Sequence, residues 1–142
     1  MMEITKERNE DMNKYVYPAI FEPNELGGFN VCFPDLPAAT QGKSIEDAIA
    51  MGRDSLELLL YTYEEEGIQA PEPTPISDIT VEPGQFVSLI DADTLEYRKM
   101  FNNRSVKKTL SIPEWLNEAA VKENVNFSQV LQEALKDRLS LA

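Results

Sequence analysis

Hydrophobic and polar positions along the chain change period several times, and each change predicts an element. Tyr15 to Phe21 (YVYPAIF) is β-branched and aromatic at both phases, the pattern of a strand packed on two faces. Pro18 removes a ladder donor from it and predicts an edge position or a bulge. The segment EPNELGG supplies turn chemistry, after which Phe29, Val31 and Phe33 alternate with Asn30 and Cys32, so a hairpin is expected. Pro34 stops that strand, Asp35-Leu36-Pro37 turns the chain, and Ala38 to Gly42 is long enough for a third strand.

From Ser44 the period becomes helical. Ile45, Ala48, Ile49, Gly52, Leu56, Leu59, Leu60 and Tyr63 fall on one side, with Ser44 as cap and Asp47 three residues on as a variant of the capping box. Gly67 as a left-handed cap, Ile68 after it and the connector APEPTP mark the end. The acidic run Glu64 to Glu66 reads as a solvated helix end rather than a metal or basic-partner site. Phe86 to Ile90 is another strand. Residues 14–91 are thus expected to form a βββαβ domain after an aperiodic tail over 1–13, and residues 92–103 a linker containing a short helix.

Residues 104–142 predict a second domain with its own logic. In SVKKTLSIP, Val106, Leu110 and Ile112 share one strand face, while Lys107, Thr109 and Ser111 share the other, which is small, polar and cationic. Pro113 suits a first helical position, and Trp115, Leu116, Ala119 and Ala120 then form a helical stripe. Asn124 to Asn126 breaks that helix. Asn126 caps another, with Phe127, Val130, Leu131, Ala134, Leu135 and Leu139 at helical spacing. One strand and two short helices in under about 40 residues enclose no core and leave a strand without partners. Antiparallel pairing with a second copy solves both problems and exposes a two-stranded ribbon of a size that fits the DNA major groove. The fold class is therefore α+β.

Charge sharpens this division. Residues 1–103 carry 7 Lys/Arg against 20 Asp/Glu, a net −13, whereas residues 104–142 carry 6 against 5, a net +1. The acidic part repels nucleic acid and attracts basic partners, so DNA contact is expected of the carboxyl part alone. The absence of histidine excludes His-based triads and His-ligated metal sites, and no cofactor is expected. No apolar run approaches the roughly 20 residues of a membrane span. A polar amino end and the single Cys32 lead to the expectation of a cytoplasmic protein.

Residues 104–139 resemble the ribbon-helix-helix family of bacterial repressors and antitoxins. The resemblance implies that Lys107, Thr109 and Ser111 face base edges and that backbone amides around Asn126, Phe127 and Ser128 hold a phosphate. Arg104 and Lys108 are further phosphate candidates. Lys108 departs from the family, standing at an inward-phase position that is more often apolar, from which its stem can reach over the core rim. The string GGFNVCFPDLPAATQGKSIEDAIA, preceded by YPAIFE and followed by EEEGIQAPEP, resembles the HicB antitoxins, and with the carboxyl module this covers nearly everything from Tyr15 onward. That resemblance implies a partial RNase H-like amino domain that binds a basic, mRNA-cleaving HicA-type toxin and masks its active site, and a complex that represses its own operon. Phe33, Pro34, Asp35 and Leu36 or the neighbouring sheet edge are candidates for the toxin interface. A homodimer through the carboxyl domain, extending to a dimer of dimers, is expected.

Two other classes compete. An RNase H-like nuclease needs converging carboxylates for metal ions, with Asp35, Asp47, Asp54 and Glu57 available, but Asp47 is better explained as a cap and Asp35 as a turn former. A stand-alone repressor with a ligand-sensing amino domain is the other.

Overall fold

A computed structural model describes residues 13–141. The expected tail lies outside the described residues except for Asn13. The chain divides into two compact units, Met1–Arg104 and Ser105–Ala142.

In the first unit, strands β1 (Lys14–Pro23), β2 (Phe29–Cys32), β3 (Ala39–Gly42) and β4 (Phe86–Asp93) form an antiparallel sheet in the order β3-β2-β1-β4. Helix α1 (Ile45–Glu66) covers one face, and helix α2 (Thr94–Phe101) follows β4 directly. Tyr17, Ala19, Phe21, Val31, Ile90 and Ala92 of the sheet are buried with Ala48, Leu56 and Leu60 of α1. Ile45, Ile49, Leu59 and Tyr63 pack around them, so the helical stripe read from the sequence is the stripe that packs. Helix and sheet approach closely at Gly42, where an added Cβ would stand 2.3 Å from the Ala48 nitrogen.

Both ends of α1 are closed as expected. Ser44 Oγ accepts from Asp47 N–H (3.1 Å), and Asp47 answers by accepting from Lys43 N–H (2.8 Å). Gly67 is left-handed at φ 70°, and Ile68 N–H reaches back to the Tyr63 carbonyl (2.8 Å).

Pro18 corrects the edge reading in an instructive way. β1 is an interior strand, but β2 reaches only to Ile20, so at Pro18 its neighbour is β4 alone. On β4, the Asp91 carbonyl and the Asp93 N–H are taken by α1 side chains, so alternate residues of β4 at this phase turn their backbone groups away from β1. Leu89 shares that phase. The Pro18–Leu89 pair is therefore non-hydrogen-bonded, and the nitrogen lacking a proton faces neither β4 nor β2.

The expected linker is also corrected. β4 runs on to Asp93, whose carboxylate caps α2 by accepting from Leu95 N–H (2.9 Å) and Glu96 N–H (3.4 Å). Eight of the residues assigned to the linker are thus a helix within the first unit, which ends at Arg104.

The second unit holds α3 (Glu114–Lys122) and α4 (Phe127–Arg138). Pro113 is the cap of α3 rather than its first residue, Asn124 turns the chain at φ 56°, and Asn126 caps α4 by accepting from Gln129 N–H (3.0 Å). Residues 102–113 have no regular secondary structure, so the strand expected at Val106–Ile112 is not formed in the single chain. A lone strand has no ladder partner within a unit that otherwise contains only helices. With four strands and four α-helices among the described residues, the architecture is mixed α/β.

Candidate functional site

The carboxyl unit is defined by what it fails to bury. None of its described residues is buried. Val106 is 80% exposed and Trp115 70%, and Leu110, Ile112, Leu116, Phe127, Val130, Leu135 and Leu139 are exposed as well. Both helices are amphipathic, so their apolar stripes are formed but uncovered within the unit. Lys107, Thr109 and Ser111 alternate along the irregular segment before α3 and are exposed, as are Arg104 and Lys108. Asn126, Phe127 and Ser128 are brought together at the start of α4. There the Asn126 carboxamide takes the Gln129 amide, while Ser128 Oγ accepts from Gln132 Nε2 (3.1 Å). Free amide donors in that first turn give a partial positive end suited to an anion.

In the acidic unit, the four residues following β2 separate into two kinds. Phe33 and Leu36 are buried core residues, whereas Pro34 is exposed. Asp35 is half-buried and accepts from the Thr74 N–H (3.0 Å) and from the Thr74 hydroxyl, tying the turn to the connector after α1. Pro34 is thus the one of these side chains left fully open to a partner, and the Asp35 carboxylate is already committed.

The carboxylates weighed for metal chemistry do not assemble. Asp35 bonds Thr74, Asp47 caps α1, Glu57 accepts from Asp93 N–H (3.1 Å), and Asp54 is exposed. Among the described residues no group of three or more acidic or sulfur ligands could hold a metal ion.

Sequence reading missed two constellations. Glu64 is no solvated helix end: it accepts from Tyr15 Oη (2.7 Å), Thr94 Oγ1 (2.7 Å), Arg98 Nη2 (3.0 Å) and Asn13 Nδ2 (3.4 Å). Arg98 also pairs with Glu65 and lies over the Tyr61 ring. Burial first, and then the bond to Glu64, raises the Tyr15 phenol well above its ordinary 10.0. The second constellation is Arg53 with Glu57, one helical turn apart on α1. Arg53 donates from Nε to the Asp91 carbonyl (3.3 Å) and from Nη2 to its carboxylate (2.9 Å), and that carboxylate is held below its ordinary range by the guanidinium. The spacing of Arg53 and Glu57 was visible, but their strand partners were not.

A cleft of about 410 Å³ lies between Lys14–Tyr17 and Ile68–Pro73, with Tyr17 Oη already donating to the Pro71 carbonyl. No helix among the described residues is long and apolar enough to cross a membrane.

Comparison with known proteins bears on both units. The family described as HicB_like antitoxin of bacterial toxin-antitoxin system matches residues 17–135. Antitoxin HicB 1 of Photorhabdus laumondii subsp. laumondii is 34% identical over 100 residues, which are 65% of this chain and 64% of that protein. Antitoxin HicB of Escherichia coli K12 is 34% identical over 62 residues, 43% of this chain and 45% of that protein. The matches thus span less than two thirds of these relatives' length. Among solved structures, a toxin-antitoxin complex from Streptococcus pneumoniae is similar with a TM-score of 0.57 at 28% identity, over 88% of this chain and 99% of that one. The Burkholderia pseudomallei antitoxin HicB shares the fold with a TM-score of 0.50 at 18% identity, over 85% and 96%. The family model covers most of the chain, both the sheet unit and most of the helical one, and its members are antitoxins rather than enzymes. The chain belongs to the HicB-like antitoxins of bacterial toxin-antitoxin systems.

Proposed function

We propose that this chain neutralises a HicA-type, mRNA-cleaving toxin by covering its active site with the acidic sheet unit, and represses its own operon through a dimeric ribbon-helix-helix module. The observation that carries the second half is that Ser105–Ala142 has two capped amphipathic helices and no buried residue among those described. A unit of that size without a core gains stability only by burying its stripes against another surface, and a second copy supplies a matching one. Pairing the Val106–Ile112 segments would satisfy their backbone and turn Lys107, Thr109 and Ser111 of both chains outward as a ribbon. Arg104, Lys108 and the start of α4 would then hold phosphates.

The first half is supported by charge. Net −13 over residues 1–103 suits a basic ribonuclease, since complementary fields speed encounter and exclude acidic competitors. The amino unit reads as the partial RNase H-like toxin-binding domain, with Pro34 or an open edge of its sheet as the partner-facing element.

One experiment addresses both halves. The full chain is purified alone and with the small basic protein encoded beside its gene, then measured by sedimentation and by mobility shift on the upstream operator. A dimer or larger assembly that binds the operator, and that abolishes mRNA cleavage by the partner, is expected. A monomer at micromolar concentration would sink the ribbon half, and cleavage undiminished at saturating antitoxin the other.

A further inference from the structure

β4 is an edge strand, and α1 protects only one end of it. The Asp91 carbonyl and the Asp93 N–H are occupied by Arg53 and Glu57. Because backbone groups alternate sides along an antiparallel strand, Val87 and Leu89 point their N–H and C=O groups the same way, away from β1. Among the described residues those groups have no backbone partner, and the Leu89 carbonyl accepts only a long bond from the Ser88 hydroxyl (3.5 Å). The side chain of Leu89 is 54% exposed, and no charge or proline of β4 blunts the window from Val87 to Leu89. Open edges of this kind are templates for another strand.

We infer that the Val87–Asp91 stretch of β4 is the docking edge for the basic toxin, which adds an extended, cationic segment to the sheet as a fifth strand. The inference rests on the antitoxin reading and supplies its mode of contact. A second copy of this chain is the poorer occupant: it would bring two units of strongly negative charge edge to edge, with Asp91 and Asp93 on both sides. A cationic strand meets the net negative charge of the unit favourably. Arg53 and Glu57 then act as a stop that fixes register, because the ladder cannot extend past Asp91 without breaking their bonds.

The test reads backbone amides in the unaltered full chain by hydrogen exchange, with and without a catalytically silent form of the small basic protein encoded beside the gene. In the free chain the Val87 and Leu89 amides should exchange quickly while Ser88 and Ile90, which face β1, are protected. At saturation, exchange at Val87 and Leu89 should slow at least tenfold. Partner binding that leaves those two amides unchanged overturns the docking edge and leaves the antitoxin reading standing. Failure of the partner to bind at all overturns that reading and the docking edge with it. Protection already present in the free chain shows that the edge is not open and overturns the inference. As a second probe, Leu89→Pro removes an outward donor without costing the β1 ladder a bond, so its affinity for the partner should fall at least tenfold while the fold survives. Wild-type affinity in a folded Leu89→Pro chain would be contrary.

Discussion

Thr94, with no exposed surface, donates its hydroxyl to the Glu64 carboxylate at 2.7 Å, and so binds the first turn of α2 to the last turn of α1. Glu64 accepts from Tyr15, Arg98 and Asn13 as well, which makes one α1 side chain the common acceptor for donors of β1 and α2. Removing that acceptor leaves the buried Thr94 hydroxyl only the longer bond to the Asn13 carbonyl (3.3 Å). Glu64→Ala should therefore cost about 2–4 kcal/mol in urea unfolding, and Glu64→Gln less, since an amide oxygen still accepts. The α2 amides should also exchange faster in the Ala variant. An unchanged midpoint would mean that the network adds nothing to folding.

The same network predicts an alkaline limit. Burial and Glu64 raise the Tyr15 phenol, so the folded state holds its proton more tightly than the unfolded chain does. The stabilisation is whole below pH 10.0 and is lost as pH rises beyond that value. Tyr17, raised chiefly by burial, acts in the same direction. Urea midpoints should hold from about pH 8 to the ordinary tyrosine value and then fall. Tyr15→Phe should flatten that fall while lowering the plateau, and an equally steep loss in this variant would assign the limit elsewhere.

Gly42 and Gly67 separate two uses of glycine. A Cβ at Gly42 would stand 2.3 Å from the Ala48 nitrogen, so α1 must lift off β3 to admit it. At Gly67 there is open space, and only the positive φ opposes a side chain. Gly67→Ala should cost about 1 kcal/mol from backbone strain. Gly42→Ala should cost more, about 2–3 kcal/mol, because backbone rather than a flexible side chain must yield. Thermal melts that reverse this ranking would refute the close packing of α1 on β3.

Local rules made most of the first unit legible. The apolar stripe of α1, the Ser44 and Gly67 caps, the hairpin and the β4 run each depend on residues near one another in sequence, and each stands where the pattern placed it. What escaped depends on distant partners. Glu64 meets Thr94 thirty residues on, and Arg53 meets Asp91 thirty-eight on, so neither charge could be distinguished from a solvated one. Pro18 misled for the same reason, because strand order and ladder phase are properties of the sheet. Phe33 and Leu36 were drawn into an interface candidate by their place in a turn, yet each is a core residue. In the carboxyl unit the apolar stripes were legible because helical spacing is local, whereas the strand was not formed because its ladder needs a partner strand.

Lys107 and Lys108 are neighbours with opposite expected duties, and they offer the sharpest test of the ribbon. If the paired strands form with Val106, Leu110 and Ile112 inward, Lys107 points at base edges and Lys108 at the core rim, from which its stem reaches a phosphate. Lys107→Ala should then cost about 1–3 kcal/mol on the operator and relax preference at one position in each half-site, with little change on unrelated DNA. Lys108→Ala should weaken binding to all sequences alike and reduce the slope of log affinity against log salt by about 1. Neither change should alter the sedimentation of the free protein, whereas Leu131→Asp, at a half-buried position of α4, should dissociate it. Mobility shifts over a salt series on operator and scrambled duplexes separate these outcomes. If Lys108→Ala relaxed specificity and Lys107→Ala did not, the strand would be turned over, placing Lys108 and Leu110 toward the bases.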